Sequence, residues 1–173
     1  MAVQTLLENE KDIEQRVPNY LVYEVVKGQP IYYKGYKDVE SRLQAWLKSQ
    51  IVTFLNNLLA PKGFIITVGE LGLKMPESTN RGADLAIFKK DNWILDEHFS
   101  NLPPEVIMEV DIQADTENTT EMDYVLEKIN DYLGFGVKKV FWIFTKTRKV
   151  MVATQQEPWL THGWSLDLDV MED

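Results

Sequence analysis

The sequence predicts an α+β fold (α/β in the broad sense) with a central mixed β-sheet flanked by helices and an N-terminal β-hairpin. Three observations predict it. Two segments, residues 38–60 and 120–133, repeat apolar residues at three- and four-residue spacing, the signature of a helix with one buried face. Several short runs rich in Val, Ile, Tyr and Phe lie between turn residues, the signature of strands. The order is hairpin, helix, three strands, helix, two strands, so helices are interspersed among strands.

In chain order, residues 4–16 are polar and acid-rich and read as a short helix or loose arm. Residues 20–33 hold LVYEVV and IYY around Lys27-Gly28-Gln29-Pro30, a hairpin pattern. The first helix is expected over 38–60, with Asp38 as N-cap and Val39, Leu43, Trp46, Leu47, Ile51, Phe54, Leu55 and Leu58 as its apolar stripe. Pro61-Lys62-Gly63 ends it, because proline cannot extend a helix and glycine suits the exit turn. Strands are expected at 64–68, 84–88 and 106–112, with 74–82 as a loop. The polar link 89–104 is anchored by Trp93, Ile94, Leu95 and Phe99. The second helix, 120–133, carries Met122, Val125, Leu126, Ile129 and Leu133 on its apolar stripe and closes at Gly134 and Gly136. Strands 140–145 and 150–154 pair across a turn at 146–149. The tail, 155–173, holds Trp159, Trp164 and Leu166, which call for packing at a place the pattern does not specify.

A length of 173 residues suits one domain, with 1–19 as an N-terminal arm. Zero cysteines exclude disulfides, thiolate metal sites and cysteine nucleophiles, and two histidines exclude a three-histidine zinc centre. A net charge of -9, from 18 basic against 27 acidic residues, argues against broad electrostatic attraction to DNA or membrane, but not against a local site where metal ions meet the phosphates. Secretory and membrane-spanning signals are absent from the pattern, so a cytoplasmic location is the expectation.

The acids of the 106–112 strand point to chemistry. Side chains alternate across a strand, so Glu109 and Asp111 share a face about 7 Å apart, opposite Met108 and Val110. Buried carboxylates need a proton, a partner or a cation. Asp84 sits among Ala83, Leu85, Ala86, Ile87 and Phe88 and has the same character. If its strand pairs beside Glu109, the two can reach one hard cation. The plain alternative is a half-exposed sheet face with solvated acids. Residues 101–135 contain nine acids and one base, Lys128, which shares a helical face with Tyr124 and Tyr132. Its plain alternative is a surface lysine in i,i+4 pairs.

In this order the motifs resemble those of the Uma2 family, a group of endonuclease-like proteins with the PD-(D/E)xK nuclease fold. The resemblance runs from about residue 20 to 154. It rests on the hairpin LVYEVVKGQPIYY, on Arg81-Gly82-Ala83-Asp84-Leu85-Ala86, on Pro103-Pro104-Glu105-Val106-Ile107-Met108-Glu109-Val110, on Lys128 and Tyr132 in a Lys-x-x-x-Tyr pattern, and on Gly136-Val137 leading to Trp142. It implies Asp84 and Glu109 as metal ligands, with the Val110 carbonyl as a third, and Lys128 as the catalytic lysine, delivered from a helix. Glu40, Asp111 and Tyr132 are supporting candidates.

Two departures stand out. Ala83 replaces the family's proline. Asp111 fills the slot that holds lysine in the E-x-K of classical nucleases of this fold, and there it either adds a ligand or binds the Lys128 ammonium. The implied activity is hydrolysis of DNA phosphodiesters with Mg²⁺ or Mn²⁺, with a homodimer as candidate assembly. The rival is a non-catalytic binding or assembly module of the same fold. Lys138, Lys139 and Arg148, in an acid-free run, are candidate nucleic-acid contacts, against the alternative of edge lysines that block sheet-to-sheet aggregation.

Overall fold

The computed structural model describes residues 22–32, 40–112, 120–165 and 167–171. The hairpin is β1 (Val22–Val26) and β2 (Gln29–Tyr32). Its turn places Lys27 and Gly28 both at positive φ, as a two-residue hairpin turn matched to strand twist requires. Helix α1 (Arg42–Leu59) starts later than the periodicity suggests. Ser41 is its cap: Ser41 Oγ accepts from the Gln44 N–H, and the Gln44 side chain accepts from the Ser41 N–H, a capping box. Asp38 lies outside the described residues. The helix exits through a short 3-10 turn over Ala60–Lys62, and Gly63 closes it at φ 86°.

The expected loop at 74–82 is mostly strand. β3 (Phe64–Met75) and β4 (Thr79–Lys89) form one long antiparallel ladder, and only residues 76–78 turn. The polar, glycine-bearing composition of 79–82 hides a strand because its polar groups are satisfied inside the protein: Thr79 Oγ1 accepts from the Lys27 N–H, and Arg81 is buried in ion pairs. The link to β5 (Val106–Asp111) is anchored by Trp93, whose ring packs 4.8 Å from that of Phe88. Ile94, Leu95 and Phe99, expected as further anchors, are exposed, though the Phe99 ring covers the bare face of Gly72. Helix α2 (Glu121–Phe135) is capped by Thr120 and closed by Gly136 at φ 117°. Its buried stripe is Tyr124, Val125, Lys128, Ile129, Tyr132 and Leu133, whereas Met122 is exposed. β6 (Lys139–Phe144) and β7 (Lys149–Thr154) follow as expected. The tail supplies a strand that the pattern missed, β8 (Leu160–Gly163), antiparallel to β7.

The strands form one sheet in the order β2-β1-β4-β5-β6-β7-β8, with β3 also paired to β4. Among the strands of the described residues only β5 and β6 pair in parallel. α1 packs on one face over Leu85, Ile87, Met108 and Phe141; α2 packs on the other over Ala86, Ile107, Val140 and Trp142. The fold is thus α+β, a mixed, mostly antiparallel sheet between two helices.

The sheet opens at one place. β3 takes up one edge of β4 along its whole length, so both other neighbours share the second edge. β1 pairs there at Asn80 and β5 at residues 85–87. Between them, among the described residues, residues 81–84 form no register pair on that edge. Opposite Asp84, β3 bulges: Val68 pairs with Leu85 and Leu71 with Ala83, so Gly69 and Glu70 together face a single residue. Gly69 has φ 88°, which lets the bulge turn.

Candidate active site

The break in pairing defines the site. In-out alternation fails at Asp84, since Ala83 belongs to the α2-side core and Leu85 to the α1-side core. Bulges re-aim side chains in this way. Backbone groups that a strand would have satisfied are met by side chains instead, as burial demands. The Gly82 N–H donates to Glu24 Oε1 at 3.1 Å, and the Gly82 carbonyl accepts from the Tyr132 hydroxyl at 2.6 Å. The Val110 N–H donates to Asp84 Oδ2 at 2.8 Å, and the Val110 carbonyl accepts from the Gln44 amide at 3.1 Å.

Asp84 and Glu109 are both buried at this opening. Asp84 Oδ1 is 2.5 Å from the Lys48 ammonium, which also bonds Glu40. Burial pulls the Lys48 pKa down, but the Asp84 and Glu40 carboxylates outweigh this and hold it above the ordinary lysine value. Glu109 lies between Tyr132, 2.5 Å from its hydroxyl, and Lys128, 3.4 Å from its ammonium. Burial pushes the Glu109 carboxyl up to about 8; Lys128 and the Tyr132 bond oppose this, and the charges of Asp84 and Glu70 add to it. A hydroxyl carries one proton, and Tyr132 contacts two oxygens. The hydroxyl proton is therefore shared between the Gly82 carbonyl and Glu109 Oε1, both within hydrogen-bond reach. The Tyr132 phenol is raised well above its ordinary value, by burial first and by Glu109 next.

Lys128 is buried and points into the core of the site. Its ammonium is 2.8 Å from Glu24 Oε1 and stands 5.5–5.8 Å from the ring centres of Tyr124, Tyr132 and Trp142. An aromatic cage with two carboxylates explains how a side chain only 3% exposed keeps a cation. Glu24, itself 0% exposed, also accepts from Arg81 at 3.0 Å and from the Tyr124 hydroxyl at 2.9 Å. Arg81 reaches on to Asp131 at 2.6 Å. Burial lowers the Arg81 pKa, but Glu24 and Asp131 prevail and raise it.

The structure therefore brings Asp84, Glu109, Val110, Lys128, Tyr132 and Glu40 to one opening. Asp111 is half-buried at the end of β5, and its carbonyl accepts from the Thr145 N–H at 2.8 Å. Lys138 and Lys139 lie at the other end of β5 and β6: Lys138 pairs with Glu105 at 2.6 Å, and Lys139 bonds the Asp169 carbonyl. Arg148 sits at φ 54° in the exposed β6–β7 turn.

Sequence reasoning passed over Glu24, Gln44, Lys48, Glu70 and Arg81. One signal was available for Lys48, which falls on the buried helical series of Leu55 and Leu59.

The donors suit a hard divalent cation. Carboxylates of Asp84 and Glu109 and the Val110 carbonyl are the oxygen ligands that Mg²⁺ and Mn²⁺ take.

Known proteins place the fold. A crystal structure described as a putative nuclease belonging to DUF820, from Anabaena variabilis ATCC 29413, matches with a TM-score of 0.63 at 16% identity. The match covers 80% of this chain and 74% of that one, a likeness of fold. No curated protein matches the chain. The family model Uma2, described as putative restriction endonuclease, matches residues 12–171. With that span, and with a nuclease-like fold opening at Asp84 and Glu109, the chain belongs to the Uma2 family.

Proposed function

We propose that this protein is a nuclease that hydrolyses DNA phosphodiester bonds at the opening between β1 and β5. The observation that carries the reading is the convergence of two buried carboxylates, Asp84 and Glu109, with a caged lysine, Lys128, where the sheet loses its pairing. Asp84, Glu109 and the Val110 carbonyl would hold Mg²⁺ or Mn²⁺, which supplies Lewis-acid activation of the phosphate and lowers the pKa of an attacking water.

The chain's own residues do the rest. The Val110 N–H fixes the Asp84 carboxylate in orientation. Glu109 must be ionised to hold the cation, and the Lys128 ammonium 3.4 Å away and the Tyr132 hydroxyl favour that form. Lys128, only 3% exposed, supplies positive charge pre-set for the phosphate's developing negative charge. A second reading, a DNA-binding module without hydrolysis, is favoured by one observation: Lys48 and Gln44 already bond Asp84 Oδ1 and the Val110 carbonyl.

The test is cleavage of plasmid and linear DNA with Mn²⁺ by the wild type, Asp84→Asn, Glu109→Gln and Lys128→Met. The expected result is cutting by the wild type and a loss of at least about 100-fold in each variant, with circular dichroism unchanged. DNA binding without cutting, equal in wild type and variants, selects the second reading.

A further inference from the structure

We infer that Lys48 is a built-in counter-ion that keeps the Asp84 site closed, and that a divalent cation binds only by displacing its ammonium into the groove beside α1. The inference rests on the nuclease reading above.

Glu40, Gln44 and Lys48 are spaced four residues apart at the start of α1 and reach the site together. Lys48 Nζ lies 2.5 Å from Asp84 Oδ1 and bonds Glu40. Gln44 Nε2 lies 3.1 Å from the Val110 carbonyl oxygen. The second Asp84 oxygen accepts from the Val110 N–H. Both Asp84 oxygens and the Val110 carbonyl are therefore engaged by donors. A divalent cation bound at Asp84 Oδ1, at the ~2.1 Å ligand distance of Mg²⁺, would stand against the ammonium held there at 2.5 Å, and the repulsion between the two positive charges drives Lys48 away.

Lys48 has somewhere to go. It lines an open groove of about 480 Å³ with Glu40, Ser49, Thr53, Val68 and Gly69, between α1 and the β3 bulge. The Glu40 side chain lines the same groove and is 36% exposed, against 9% for Asp84. A lysine stem can thus leave Asp84 and keep Glu40, so displacement costs one ion pair and not two. The apparent metal affinity is then the intrinsic affinity reduced by the fraction of molecules whose Lys48 has swung away.

Mn²⁺ binding by calorimetry tests this without any substrate. Lys48→Met is expected to bind Mn²⁺ about tenfold or more tightly than the wild type. Lys48→Arg, which keeps the charge, is expected to bind no more tightly than the wild type, and Asp84→Ala to bind none. Equal or weaker binding by Lys48→Met, with binding still lost in Asp84→Ala, overturns the role given to Lys48 and leaves the nuclease reading standing. No binding by any of these proteins overturns both. Should Lys48→Met fail to fold, Lys48→Gln replaces it. The wild type gives an independent measure: acetylation of Lys48 by an amine-reactive ester, read by mass spectrometry, is expected to rise several-fold on saturation with Mn²⁺. An unchanged rate overturns the inference.

Discussion

At the scale of single residues, the site is a problem of buried charge. Glu109 is nearly inaccessible, and burial raises its carboxyl from 4.5 to about 8. The groups facing it are Lys128 and Tyr132 from α2, Asp84 from β4 and Glu70 from the β3 bulge. The sign of the consequence follows from proton counting. Between about pH 4.5 and 8 the folded protein holds a proton that the unfolded chain has released, so stability present at low pH is lost as pH rises through this window. Glu109→Gln is fixed in the neutral form and lacks this loss. Relative to the wild type, the variant is therefore expected to gain stability between about pH 5 and pH 8, by a few kcal/mol at most. Urea unfolding at the two pH values checks it, and an equal difference at both would show that Glu109 is ionised in the folded state.

At the scale of elements, α1 has two jobs that depend on its first turn. Ser41 and Gln44 close the capping box, and the same Gln44 side chain reaches the Val110 carbonyl. Losing the cap hydroxyl therefore loosens both the helix start and the contact with β5. Ser41→Ala is expected to cost about 1 kcal/mol in denaturant unfolding. Hydrogen exchange should quicken at the Gln44 and Ala45 amides while Leu55 and Leu59, deep in the core, stay protected. The other shaping element is the bulge at Gly69 and Glu70, which turns Asp84 out of the regular alternation. The apolar stripe of α1 was legible because a 3.6-residue period writes itself into one short segment. The Ser41 cap was legible in principle, yet Asp38 offered the same chemistry three residues earlier. Nothing local decides between them; the reach of Gln44 to β5 is tertiary.

At the scale of the whole molecule, Glu24 closes the fold. Among the described residues the hairpin pairs in register with β4 at Val25↔Asn80, beside the bond from the Lys27 N–H to Thr79 Oγ1. The carboxylate of Glu24 adds contacts to Arg81, the Gly82 N–H, Tyr124 and Lys128, spanning up to 104 residues of sequence. Removing it takes one carboxylate from each of two buried cations, leaving Arg81 with Asp131 and Lys128 with Glu109. Glu24→Ala is expected to destabilise the protein by about 3–5 kcal/mol, measured by urea unfolding. The hairpin amides should exchange faster than those of β6 and β7. A loss below about 1 kcal/mol would mean that Asp131 and Glu109 alone suffice for Arg81 and Lys128. The network lies in the core between the sheet and α2; among the described residues no helix is long and apolar enough to cross a membrane.

The sequence by itself determined what is local. Apolar patterning placed both helices and β5, β6 and β7, and alternation put Glu109 on one face of β5, away from Met108 and Val110. The four-residue spacing of Tyr124, Lys128 and Tyr132 put them on one face of α2, where all three are buried. Only the tertiary structure decided which element covers that face. A period tells that a side chain points inward, and says nothing of the partner it meets there. So Glu24, a lone acid among valines in β1, and Lys48, a lone lysine on a helix, look unremarkable along the chain. They become the charges that meet Lys128 and Asp84 once the sheet folds. The stretch 79–82 reads as loop for the same reason: its polar groups are satisfied by Lys27, Glu24 and Tyr132, which are distant in sequence and near only in space.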